Sequence, residues 1–160
     1  MFIIIIQERI VTTVQMNLFS SIDRENELAS ALTECKELYA IIHAASPMPN
    51  RESLLNWSQQ SFRDEIDMGG YFPIELSRLL QRKQVVKGGR LILIGSNWAM
   101  HKQPDSGLLT YATVKSFVAT IAKGLARDLA QNGITVNVIS PDFLDVGINK
   151  DVPSRLVRMK

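Results

Sequence analysis

The sequence predicts an α/β fold, a parallel sheet with helices packed on both faces, in one domain over 1–160. Three observations predict it. Short unbroken apolar runs, "FIIII", "YAIIHAAS", "RLILIGS" and "ITVNVISP", read as strands buried on both sides. Stretches of helical periodicity alternate with them and are long enough to cross from one parallel strand to the next. The chain has 160 residues, 46% of them hydrophobic, which supplies one core but not two.

The elements follow in order. Phe2–Ile6 is a strand, too short for a membrane span or a signal-peptide apolar stretch and without a basic flank. Val11–Leu18, β-branched and roughly alternating, is a second strand. The next stretch begins with cap-type residues and places Leu28, Leu32 and Cys35 at helical spacing, a helix from about Asp23 to Leu38. Tyr39–Ser46 is a strand ending in small residues, and Pro47–Asn50 breaks the chain. Helical pattern runs over Arg51–Gln84, as two helices or one bent at Gly69–Pro73. Lys87–Gly89 ends that segment and Arg90–Ser96 is a strand. A polar loop then leads to a helix over Thr110–Gln131, with Phe117, Val118, Ile121, Leu125 and Leu129 as its apolar stripe. Asn132-Gly133 supplies a left-handed stop before the last strand, Ile134–Pro141.

Composition narrows the function. A formal charge of +2 is too small to point to nucleic acid or an acidic membrane. The basic clusters Arg82, Lys83, Lys87, Arg90 and Arg155, Arg158, Lys160 read as solvated helix ends and a tail. Cys35 stands alone, so it closes no internal disulfide; no Cys/His spacing suits a metal, and this usage fits a reducing, cytoplasmic setting. In the loop after Ser96, His101 reads as a solvated histidine or a hydrogen-bond partner of a substrate, and Trp98 as a packing or pocket-lining residue.

The chemistry collects at strand ends, where an open parallel sheet holds its ligands. Ser46 ends one strand, Ser96 another, and Asp142 follows the last. Tyr111 and Lys115, four apart at the head of a helix, share one face. An ammonium beside a phenol favours the phenolate, and a tyrosine so placed can exchange a proton with a carbonyl or alcohol oxygen. The Ser96 hydroxyl is a candidate to hold that oxygen. Alone, the Tyr-x3-Lys pair reads more simply as a packed tyrosine and a solvated lysine; its place between a Gly-Ser strand end and "VNVISP" strengthens the chemical reading.

"GGRLILIGS", "YATVKSFVATIAKGLARDLAQNG" and "ITVNVISP" together resemble the second half of a short-chain dehydrogenase/reductase, nearest the β-ketoacyl carrier-protein reductases. The resemblance implies a Rossmann-like three-layer domain lacking the first βαβ unit and the last strand. It also implies NAD or NADP as cofactor and a small-molecule carbonyl or alcohol as substrate. By position Ser96 is then the catalytic serine, Tyr111 the proton donor, and Lys115 both its tuner and the anchor of the nicotinamide ribose. Asp67 falls where the family has a catalytic asparagine. His43, Ala44, Ala45 and Ser46 lie at the family's Asn-Asn-Ala-Gly turn, Asn17 at its adenine-contacting Asp, and Pro141-Asp142 at its Pro-Gly.

The chain departs from the family by having no Gly-x3-Gly-x-Gly turn for the pyrophosphate. The family's strand order also places two strands between the third and fourth, so "FIIII" is expected to fill that gap or to pair with the His43 strand directly. The resemblance implies a homo-oligomer through helices 51–84 and 110–131. A second expectation is therefore a non-catalytic relative acting as a binding or oligomerisation protein.

Overall fold

The computed structural model describes residues 2–7, 10–15, 21–33, 38–46, 54–82, 85–97, 99, 108–142 and 144. Five strands form one sheet: β1 (Phe2–Gln7), β2 (Ile10–Gln15), β3 (Leu38–His43), β4 (Val85–Ile94) and β5 (Thr135–Ile139), in the order β2-β1-β3-β4-β5. The helices are α1 (Ser21–Thr33), α2 (Gln59–Ile66), α3 (Phe72–Arg82) and α4 (Leu109–Leu129).

Strands β3, β4 and β5 are parallel, as their helical crossovers require. The sheet is not parallel throughout, however: β1 runs antiparallel to both of its neighbours. A connection as short as the one between Gln7 and Ile10 can make a hairpin but not a parallel crossover. β1 takes an interior place and pairs directly with the His43 strand, Ile3 standing opposite His43. Two reversals of direction bring β2 parallel to β3, so Gln15, His43, Ile94 and Ile139 all end strands at one edge of the sheet.

Two expected boundaries move. Leu38 opens β3 instead of closing the first helix, and its side chain is in the core. β4 begins at Val85, not Arg90, and passes through the expected Lys87–Gly89 stop by a bulge. There the register slips between Leu38 and Ala40, and Gly88, at φ 96°, takes the left-handed conformation that a side chain would oppose. Within the Arg51–Gln84 segment α2 passes into α3 through a five-residue π turn, Asp67–Tyr71, at the interruption expected near Gly69–Pro73. The expected stop at Asn132-Gly133 stands, with Gly133 left-handed at φ 70° and its N–H donating to Ala130 O.

One apolar cluster joins these elements. It takes Ile5 from β1, Leu28 and Leu32 from α1, Phe72 and Leu76 from α3, Leu91 and Leu93 from β4, and Val118 and Leu125 from α4. Among the described residues, no helix is long and apolar enough to cross a membrane.

Candidate active site

Helix α4 brings Tyr111 and Lys115 to the carboxyl edge of the sheet. Lys115 is buried, unusual for a lysine, because its Nζ donates to the carbonyl of Ile94, the last residue of β4, at 2.9 Å. The same Nζ stands 5.8 Å from the Tyr111 ring centroid, over its face. Among the described residues no carboxylate pairs with it. Burial therefore disfavours its charge and lowers the amine to about 8.

The next residues extend the strand pairing past its end. Gly95 N–H donates to Ile139 O at 2.8 Å and Asn97 N–H to Pro141 O at 2.9 Å, holding Ser96 between them. A Cβ on Gly95 would come within 2.8 Å of both Ser140 Oγ and Val138 Cγ1, so a glycine is needed for β4 and β5 to close here. Ser96 is buried and its Oγ accepts from Ala99 N–H at 3.4 Å. It lies two residues beyond the carbonyl on which Lys115 rests; no hydrogen bond joins Ser96 to Tyr111 among the described residues. Pro141 is half-buried and Asp142 exposed.

His43 ends β3 opposite Leu93, beside Ile94. It is 3% exposed, and its Nε2 lies 3.2 Å from Met68 O. A carbonyl can only accept, so Nε2 carries the proton and Nδ1 is left as a lone-pair acceptor. That Nδ1 is buried and has no hydrogen-bond partner among the described residues. Burial first, and the Lys115 charge second, push His43 down to about 4 against the opposing hydrogen bond to Met68.

The π turn explains why the Met68 carbonyl is available. Phe72 N–H donates to Asp67 O, five residues back. The next donor in that register would be residue 73, a proline, which has no N–H. Met68 O thus loses its helical partner and meets His43 instead.

Asp67 is not joined to Tyr111 or Lys115 by any hydrogen bond among the described residues. Its Oδ2 accepts from Arg24 Nη1 at 2.6 Å, and Arg24 Nε pairs with Glu75 Oε2 at 3.2 Å. Arg24 is 1% exposed, its guanidinium is 5.5 Å from the Phe72 ring centroid, and that ring packs edge-on against His43 at 5.4 Å. Sequence reasoning missed Arg24, Glu75 and the Met68 carbonyl. The available signal was spacing: Arg24 stands four residues before Leu28 and eight before Leu32, on the buried stripe of α1.

Of the cofactor-turn candidates, Ala44 is exposed, Ala45 buried and Ser46 half-buried. Asn17, Cys35, Trp98 and His101 lie outside the described residues.

A family model described as "Enoyl-(Acyl carrier protein) reductase" matches residues 6–158. The "Cyclic-di-GMP-binding biofilm dispersal mediator protein" of Escherichia coli (strain K12) is 40% identical over 67 residues, 42% of this chain and 28% of that protein. The 3-oxoacyl-[acyl-carrier-protein] reductase FabG of Salmonella typhimurium is 26% identical over 136 residues, 84% of this chain and 54% of that one. The chain thus spans about half, or less, of the length of these relatives. Among solved structures, a dehydrogenase/reductase from Sinorhizobium meliloti superposes with TM-score 0.75 at 26% identity, over 85% of this chain and 53% of that one. A short chain dehydrogenase from Burkholderia cenocepacia, solved in complex with NADP, superposes with TM-score 0.79 at 24% identity, over 90% and 58%; that likeness is one of fold.

Proposed function

The chain belongs to the short-chain dehydrogenase/reductase family, and from that membership we propose that it is an NAD(P)-dependent oxidoreductase acting on a carbonyl or an alcohol. The observation that carries the reading is Lys115, a buried amine without a carboxylate partner among the described residues, set over Tyr111 at the carboxyl edge of the sheet. Such an amine switches charge near neutrality, where a tyrosine proton must move.

When bound, the nicotinamide would supply or accept the hydride. Tyr111 then gives its phenolic proton to the substrate oxygen, or takes one from it. Lys115, as ammonium, stabilises the negative charge left on the phenol, and the Ser96 hydroxyl orients the oxygen. Lys115 Nζ offers donors and His43 Nδ1 an unpartnered acceptor, a pairing suited to ribose hydroxyls, with Ala44, Ala45, Ser46, Pro141 and Asp142 at the same edge. The 160 residues contain no Gly-x3-Gly-x-Gly turn of the kind that receives a pyrophosphate. Asp67 contributes through the turn it opens, its carboxylate being held by Arg24.

Titrating the protein into NADH or NADPH and following the reduced nicotinamide's fluorescence tests this. Saturable binding that Lys115→Ala removes supports it; no saturation with either cofactor ends it. Tyr111→Phe then separates roles: on an accepted carbonyl it must abolish turnover while leaving cofactor binding intact.

A second reading is a nucleotide-binding protein without turnover. The stretch similar to the cyclic-di-GMP-binding protein favours it. Saturable binding of cyclic di-GMP without NAD(P)H binding would decide for it. Both readings accommodate a homo-oligomer formed through helices 51–84 and 110–131, where Trp57, Tyr71, Leu109 and Phe117 are exposed. A monomer by light scattering would remove that element.

A further inference from the structure

We propose that Arg24 is a positioning residue for the Lys115 site. It clamps Asp67 and Glu75 on either side of the π turn, thereby aims the Met68 carbonyl, and so fixes the His43 ring with Nε2–H donating and Nδ1 free to accept.

Each link rests on a contact. A guanidinium out of water costs several kcal/mol unless it is paired; Arg24 is hydrogen-bonded to one carboxylate and ion-paired with a second, and so ties the two together. Those partners are Asp67, the first residue of the π turn, and Glu75 in the first turn of α3 beyond it. The turn between them has little latitude on its other side. A Cβ on Gly69 would collide with Val114 Cγ1, and one on Gly70 would lie 2.6 Å from Phe117 Cε1. Both of those residues lie on α4, either side of Lys115. The turn is thus pressed against the helix that carries Lys115 and pinned from behind by Arg24.

The consequence appears at Met68. Its carbonyl has no helical donor because residue 73 is proline, so its direction is set by the turn alone. His43 Nε2 follows that carbonyl, and Phe72 packs between Arg24 and the imidazole, touching both. If the turn relaxes, the carbonyl turns away and the ring loses the contact that distinguishes its two nitrogens. Asp67 stands where the family resemblance places an asparagine, and an ionised side chain there gives a buried guanidinium a stronger partner than an amide.

The clamp's effect on ligand binding rests on the oxidoreductase reading; its effect on His43 does not, and the experiment reads the two separately. The chain has two histidines, so long-range proton–nitrogen NMR on protein labelled at histidine nitrogen resolves His43, with a His101 substitution to assign the signals. The wild type is expected to show a single Nε2-protonated tautomer. Arg24→Met and Asp67→Asn should each give a tautomer mixture. Arg24→Lys, which keeps the charge but not the two-pronged geometry, should fall between them and the wild type. Should Arg24→Met fail to fold, Asp67→Asn, nearly isosteric, carries the test. A wild-type tautomer retained in every folded variant, with melting temperatures lowered, would make the cluster structural and overturn the proposal. If the wild type binds NADPH, Asp67→Asn should weaken it about tenfold. If it binds neither cofactor, the oxidoreductase reading falls while the tautomer result still decides the role of Arg24.

Discussion

Two buried cations, Arg24 behind the π turn and Lys115 in front of it, meet the same difficulty in opposite ways. Arg24 is 1% exposed and is compensated by two carboxylates and an aromatic face. Lys115 is 5% exposed and receives a backbone carbonyl and a ring face, with no carboxylate among the described residues. A guanidinium cannot escape by losing its proton, so it must be paired. An amine can, and burial lowers Lys115 to about 8. Pairing makes the first cation a fastener. Leaving the second without a carboxylate among the described residues makes it titratable near pH 8, at a cost in stability.

The sharpest way to break this comparison is to replace each cation by methionine. Arg24→Met removes the charge that two partly exposed carboxylates face and is expected to lower the unfolding free energy by ~1–3 kcal/mol, read by urea denaturation. Lys115→Met removes an uncompensated amine and should instead raise stability, by up to ~3 kcal/mol, while abolishing nicotinamide binding. A stability loss at both positions would show that Lys115 is held as firmly as Arg24, and the contrast would be gone.

The pH dependence of stability follows with a definite sign. Lys115 is lowered from 10.5 to about 8, so between these values the unfolded chain binds more protons than the folded one. Stability should therefore rise with pH from about 8 to 10.5, and Lys115→Met should remove that rise. His43 is lowered from 6.5 to about 4, so stability should fall as pH drops through that window, by about 3 kcal/mol at most, and level off below it. Denaturation midpoints across pH check both limbs. A flat profile from 8 to 10.5 would mean Lys115 is not desolvated.

What the sequence disclosed divides along the same line. Residues whose place comes from strand and helix position were legible: Ser96 just past a strand end, Tyr111 and Lys115 on one helix, Gly133 as a stop. The parallel strands β3 to β5 were legible too, because apolar runs separated by helices admit little else. The antiparallel course of β1 follows from the brevity of its connection to β2, a signal present but outweighed by the all-apolar run. Asp67 was read through the resemblance alone. Its engagement by Arg24, 43 residues earlier, depends on the packing of α1 against the π turn, which no local pattern encodes. The His43–Met68 contact needed both the π register and Pro73, where the local pattern signals only an interruption of the helix.

The smallest effects concern two glycines, and they test whether the turn is as tightly seated as the fastener implies. Gly69 lies in the π turn against Val114, and an added methyl would collide with Val114 Cγ1. Gly124 lies in α4 with nothing within 4 Å of an added Cβ. Gly69→Ala should cost ~1–3 kcal/mol, since the turn is trapped between Arg24 and α4, and combining it with Val114→Ala should recover part of the loss. Gly124→Ala should gain ~0.4–1 kcal/mol, because alanine narrows the unfolded ensemble and meets no obstacle in a helix. Chemical denaturation of the three variants and the double variant measures both. Were Gly69→Ala as harmless as Gly124→Ala, the π turn would have room to shift towards α4, and Arg24 could not be what holds the Met68 carbonyl on His43.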